Sequence, residues 1–239
     1  MNAVIERIYR IGTIEDPIHG PVSPFPVSIP FDTGALLYDV ILKEQLGSTL
    51  EVGMAYGLST LFICQAHSDR GSGAHTAIDP YQTSRYHALG LANVRQAGLE
   101  GYLTFHEAPS FEVLPALLRA EQVFDFAFID GRHLFDYVLV DFFYIDMLLR
   151  VGGHVVFDDL WLPQVRKAVS FVLRNRGYEL VRIRESTRAP LWRRAGRVVR
   201  RFAQTPLTGN VGLKLIGSNV CVLKKVSEDE RRMRSHRSF

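Results

Sequence analysis

Glu51, Asp79, Glu107, Asp130 and the pair Asp158 and Asp159 each stand where a short apolar run of this chain ends. Carboxylates in such places can accept hydroxyls, hold a cationic ligand or share a metal ion. Any one of them is ordinary solvation. The same chemistry at the end of every successive run is hard to assign to solvation alone. The stretch LEVGMAYGLST, residues 50–60, adds Gly53 and Gly57 to Glu51. Glycines there let backbone approach a ligand closely. The dinucleotide fingerprint G-x-G-x-x-G is missing, and an acidic residue in the turn suits a cationic ligand better than a pyrophosphate. Asp79 can accept both hydroxyls of a ribose, which says nucleoside without naming which one. Its bland alternative is a cap on the next turn.

His133 follows Asp130 by one short step and is the best histidine for proton transfer. It can equally be a hydrogen-bond partner of Asp130. His19, among prolines, could cover a site or sit in solvent, and His106 reads as structural. Asp130, Asp158 and Asp159 would repel one another at one sheet edge, and burial would raise their pKa values unless a cation were present. Their oxygens suit Mg²⁺, Ca²⁺ or Mn²⁺. The competing reading makes Asp158 a cap and His133 a base that works without metal.

The elements that must position these groups follow a rhythm. Strands are expected at 48–52, 74–79, 101–107, 124–130, 152–159, 178–183 and 218–226, with helices at 31–46, 58–67, 84–98, 111–120, 134–149 and 161–175. Asp32 or Thr33 would cap the first of these helices. Strands that alternate with helices imply βαβ units. The fold class expected is therefore α/β: a doubly wound, mostly parallel seven-stranded sheet with helices on both faces and an antiparallel last strand. Ligands in such sheets bind beyond the carboxyl ends of the strands.

A chain of 239 residues with 47% hydrophobic and 22% charged residues suits one such domain with extensions. A net charge of +3 does not by itself suggest nucleic acid. Cys64 and Cys221 read as reduced core thiols. The N-terminus lacks a signal-peptide pattern and no apolar run is long enough to span a membrane, so a cytoplasmic protein is expected.

The turn from Glu51 to Thr60, the segment AIDP from Ala77 to Pro80, and the stretch FIDGRHLFDYVLVDF with LLRVGGHVVFDD between Phe128 and Asp159 resemble class I S-adenosylmethionine-dependent methyltransferases. More narrowly they are similar to the small O-methyltransferase-like group that includes catechol, caffeoyl-CoA, macrolide-sugar and cephalosporin-hydroxylase-type relatives. The resemblance covers roughly residues 33–183 and the last strand. It implies O-methylation of a small-molecule hydroxyl, on a natural product, sugar or phenol. The cofactor-binding residues it implies are Glu51, Gly53, Gly57, Ser59, Asp79, Ser110 and Asp130. Glu51 and the glycines would hold the methionine part, Asp79 the ribose, and Ser110 the adenine edge, with Ala108 where relatives carry glycine. Asp130 and His133 would be catalytic, and Asp130, Asp158 and Asp159 would bind Mg²⁺ or another divalent cation. Alternatives are a nicotinamide-dependent oxidoreductase, against which the turn argues, and a non-catalytic cofactor-binding scaffold.

The expected division is a proline-rich arm over 1–32, the catalytic domain over 33–226 and a charged, frayed tail over 227–239. Pro17, Pro21, Pro24, Pro26 and Pro30 speak against regular structure in 17–30. Within 184–214, Leu191, Ala195, Val198, Val199 and Phe202 recur at helical spacing among arginines. That basic insertion either packs on the domain or meets an anionic partner. Nucleic-acid bases are disfavoured, because the Asn/Asp-Pro-Pro-aromatic signature of base-modifying enzymes is missing. The apolar helix over 134–149 is either deeply buried or the contact of a homodimer.

Overall fold

The computed structural model describes residues 1–181, 195–196, 198–200, 203, 213, 219–233 and 235–239. They form two compact units, Met1–Ala120 and Glu121–Phe239. The basic insertion lies almost wholly outside the described residues.

The first unit opens with α1 (Ala3–Ile11), whose N-cap Asn2 accepts the Val4 N–H at 3.0 Å and whose last turn stops at left-handed Gly12. β1 (Ile14–Asp16) and β2 (Gly20–Val22) then pair antiparallel. This corrects the expectation of an irregular arm. Pro21 faces Glu15 in the register, and in a two-stranded sheet every strand is an edge, so the missing donor is tolerated. α2 (Phe31–Lys43) begins where expected and ends three residues earlier. Pro30 occupies the cap position and its carbonyl accepts the Thr33 and Gly34 N–H groups, so neither Asp32 nor Thr33 is the cap. Next come β3 (Ser48–Val52), α3 (Leu58–Arg70), β4 (Ala74–Ile78) and α4 (Leu89–Gln96). α4 starts later than periodicity suggested because His87 and Ala88 are left-handed, with φ of 50° and 56°. A 3-10 turn (Glu100–Tyr102), β5 (Leu103–His106) and α5 (Ser110–Arg119) complete the unit. β3 pairs parallel with β4, and β4 with β5.

The second unit runs β6 (Phe124–Ile129), α6 (Phe135–Leu148), β7 (Leu149–Phe157), α7 (Pro163–Asn175), β8 (Tyr178–Val181) and β9 (Cys221–Lys225). β6 and β7 are parallel, and β9 is antiparallel to both β7 and β8. Phe126, Ala127 and Phe128 of β6 and Val155, Val156 and Phe157 of β7 are all fully buried, the continuous apolar run of strands covered on both faces. β7 starts ahead of the expected Gly152, across a register shift opposite Phe124 and Phe126.

The strand order of the seven-stranded sheet is β5-β4-β3-β6-β7-β9-β8. The mixed, doubly wound sheet with its antiparallel last strand is thus as read from the sequence. Cys64 and Cys221 are buried free thiols. Among the described residues no helix is long and apolar enough to cross a membrane.

The C-terminal tail is not frayed. Asn175 donates to the Arg237 carbonyl at 2.9 Å and accepts the Arg237 N–H at 2.7 Å. The Phe239 ring meets Phe171 edge-on at 5.1 Å. A charged composition suggested solvation, but paired backbone groups and one terminal aromatic outweigh it.

Candidate functional site

In the first unit the turn after β3 is braced from below. Glu51 is fully buried. Its Oε2 accepts the Thr60 hydroxyl at 2.5 Å and lies 3.3 Å from His75 Nε2. Its Oε1 is buried with no hydrogen-bond partner among the described residues. An orphaned carboxylate oxygen is costly unless a ligand completes it. Gly53 has φ 95°, and its N–H donates to the Ile78 carbonyl at 2.9 Å. Gly57 is left-handed, and a Cβ there would come within 2.9 Å of the Gly90 carbonyl oxygen. Its glycine is demanded by backbone strain and by α4, before any ligand is considered.

Asp79 is buried just beyond β4. Its Oδ2 accepts the N–H groups of Met54 at 3.0 Å and Ala55 at 2.7 Å, and its Oδ1 that of Tyr81 at 2.8 Å. The carboxylate therefore shapes the glycine turn and caps its own loop. Gln82 donates to the Ala55 carbonyl, and Asn93 to that of Tyr56 at 3.0 Å. Gln82 and Asn93 were not singled out in the sequence, since a lone buried amide leaves no periodic signal. Glu107 accepts both the N–H and the hydroxyl of Thr83, at 2.6 and 2.8 Å, and so is occupied as a loop anchor. Ser59 is buried in the first turn of α3, and Ser110 opens α5, half-buried.

In the second unit Asp130, His133 and Asp159 each bring a ligand-type atom within 4.8 Å of the others. His133 Nε2 lies 3.1 Å from Asp159 Oδ2, and the Trp161 indole donates to Asp159 Oδ1 at 2.7 Å. Asp159 adopts a left-handed φ of 56°, which turns it away from the direction of its neighbour. Asp158 is not in the trio: it is buried, and its Oδ1 accepts the Asp159 N–H at 2.7 Å. Burial pushes its carboxyl up to about 7, against the lowering effect of that amide and with added push from the Asp159 charge. Two carboxylates and an imidazole, half-exposed, are a donor set that fits a divalent cation or a proton relay.

The seven-stranded sheet with its antiparallel last strand matches the fold of solved methyltransferases. Residues 50–160 match the family described as Methyltransferase domain, so the resemblance read from the sequence holds over the stretch that carries Glu51, Asp79, Asp130 and Asp159. A caffeoyl-CoA O-methyltransferase from Populus kitakamiensis is 29% identical over 151 residues, 60% of this chain and 60% of that protein. Tricin synthase 2 from Oryza sativa subsp. japonica is 34% identical over 144 residues, 56% of this chain and 46% of that protein. The chain thus spans about half to three fifths of the length of these curated relatives. The O-methyltransferase TomG from Streptomyces achromogenes, solved with S-adenosylmethionine, superposes with a TM-score of 0.62 at 16% identity, covering 95% of this chain and 97% of that one.

Proposed function

We propose that this protein transfers a methyl group from S-adenosylmethionine to a hydroxyl oxygen of a small molecule. The carrying observation is the buried, unpartnered Oε1 of Glu51 beside the Gly53–Gly57 turn. A cationic amino group, as in the methionine part of the cofactor, would complete it. Gly53, Gly57 and Ser59 line the same turn. Asp79 accepts three amides, and a carboxylate offers about four lone-pair sites. It therefore retains capacity for one ribose hydroxyl and not two. Ser110 is assigned the adenine edge and Asp130 a cofactor contact.

The cofactor supplies an activated methyl on a sulfonium, so the protein's task is to orient the acceptor and to withdraw its proton. His133 Nε2–H faces Asp159 Oδ2, which leaves Nδ1 unprotonated and able to take the acceptor's proton. Asp159, held by Trp161, fixes that tautomer and favours the imidazolium that forms. A divalent cation such as Mg²⁺ held by Asp130 and Asp159 would polarise the acceptor oxygen. A homodimer through the outer stripe of α6, where Val140, Phe143 and Met147 are exposed, and a cytoplasmic setting suited to the buried thiols belong to the same proposal.

The test is calorimetric titration with S-adenosylmethionine, followed by methyl transfer to a panel of catechols and sugars read by mass. Glu51→Gln removes the charge and should weaken cofactor binding about 10- to 100-fold, as for loss of one charged hydrogen bond. No binding by the wild type would sink the proposal. Binding without transfer to any hydroxyl would leave a cofactor-binding scaffold.

A further inference from the structure

The β1–β2 hairpin carries a cluster that methyl transfer leaves unused. Asp16 closes β1 with its side chain 1% exposed. Its Oδ1 accepts the Ile18 N–H at 2.8 Å and the His19 N–H at 3.3 Å, which fixes the carboxylate in place. Its Oδ2 faces two imidazoles, His19 Nδ1 at 2.9 Å and His87 Nδ1 at 2.7 Å. The rings lie 4.5 Å apart with planes 31° from parallel. One oxygen and two nitrogens thus converge within 4.8 Å of one another. His87 comes from the loop ahead of α4 and is left-handed, a conformation that non-glycine residues keep only where their surroundings hold it.

We propose that Asp16, His19 and His87 form a three-ligand site for a transition-metal dication of the Zn²⁺ class, which fastens the β1–β2 hairpin to the loop before α4. The donor set selects the ion. Two imidazole nitrogens with one carboxylate oxygen suit Zn²⁺, Co²⁺ or Ni²⁺, whereas Mg²⁺ and Ca²⁺ prefer oxygen throughout. A tetrahedral ion about 2.1 Å from each donor holds its ligands roughly 3.4 Å apart. The two oxygen–nitrogen separations, 2.9 and 2.7 Å, need to open by only about 0.5 to 0.7 Å. The two imidazoles are half-exposed and can turn by that amount, while the carboxylate stays clamped by its two amides. The open side leaves a fourth position to water. Each Nδ1–H that now donates to Asp16 gives way to a lone pair on the ion, the ring proton moving to Nε2. The Ile18 and His19 amides play the orienting part that ligating carboxylates need.

The test uses the full chain, stripped with chelator, and titrates Zn²⁺ by calorimetry and Co²⁺ by its visible absorption. The proteins compared are wild type, His19→Gln, His87→Gln and His133→Ala. We expect one ion whose affinity falls at least tenfold in His19→Gln and in His87→Gln, since losing a ligand should cost no less than losing its orienting partner. His133→Ala should keep this ion, which separates it from any bound by Asp130 and Asp159. Should His87→Gln fail to fold, the more exposed His19→Gln decides alone, with its chelated melting temperature as the folding control. Equal Zn²⁺ affinity and Co²⁺ spectrum in His19→Gln and wild type, or no uptake by wild type, overturns the site and leaves a hydrogen-bonded clamp.

Discussion

Asp79 Oδ2 accepts the Ala55 N–H at 2.7 Å, so the end of β4 holds the turn that follows β3. With Met54 and Tyr81 also on this carboxylate, Asp79→Ala strands three backbone donors. We expect a stability loss on the order of 3 kcal/mol, together with loss of S-adenosylmethionine binding. Asp79→Asn should rescue little, because its amide nitrogen would face donors. Thermal melts and calorimetry check both. An Asp79→Ala protein that melts like wild type would show that the turn holds itself.

The sheet was legible because its strands are apolar runs separated by amphipathic stretches, with glycine marking both ends of α3. The acidic strand ends were legible as residue types, but their employment was not. Glu107 and Asp79 both spend oxygens on backbone amides of neighbouring loops, a use that no spacing rule encodes. The trio at the end of β6 was read as three aspartates. The left-handed turn at Asp159 brings in His133 and sends Asp158 to an amide instead. The β1–β2 hairpin was hidden by proline, and the docked tail by its charge. In both, contacts distant in sequence override local composition.

Asp146 of α6 joins β8 and β9 through charge. Its carboxylate accepts the Tyr178 hydroxyl at 2.7 Å and the Arg176 guanidinium at 2.9 Å, with Lys225 Nζ at 3.7 Å. Lys225 is 1% exposed and also donates to the Asp146 and Leu149 carbonyls. Asp146→Ala should cost about 1–3 kcal/mol, because the buried Tyr178 hydroxyl loses its acceptor and Lys225 keeps only the exposed Glu228 as an ion partner among the described residues, while Arg176 keeps Asp229. Asp146→Ala combined with Lys225→Met should recover part of it. Denaturant unfolding of the two variants checks the coupling.

The tail should loosen in acid. The Arg231 guanidinium, first, and Arg176 with the Arg231 N–H hold the Asp229 carboxyl down to about 2, outweighing the opposing effect of burial. A carboxyl depressed in the folded state lends stability that is complete above its ordinary value near 4 and is lost as pH falls toward 2. Protection of the Arg237 amide, as its exchange rate relative to the intrinsic rate at each pH, should therefore fall between pH 4 and 2. Asp229→Asn should show the lower protection already at neutral pH. A rate in that variant equal to wild type at pH 7 would mean that Asn175 and Phe239 dock the tail unaided.

In the proposed reaction His133 and a divalent cation would divide the work of activating the acceptor, and the two can be told apart. His133→Ala removes a general base and should lower kcat by about 10²- to 10⁴-fold while leaving cofactor affinity unchanged. Asp159→Asn keeps a partner for Trp161 but weakens the hold on the imidazole, and should fall short of the His133→Ala loss if proton transfer alone matters. If Asp130 and Asp159 also carry Mg²⁺, Asp159→Asn should instead match or exceed it. Chelator should then suppress wild-type turnover at least about tenfold, with Mg²⁺ restoring it. Both losses are expected. Full turnover in chelator, with activity still lost in His133→Ala, would remove the metal from the reaction and leave the imidazole Nδ1 as the acceptor's only base.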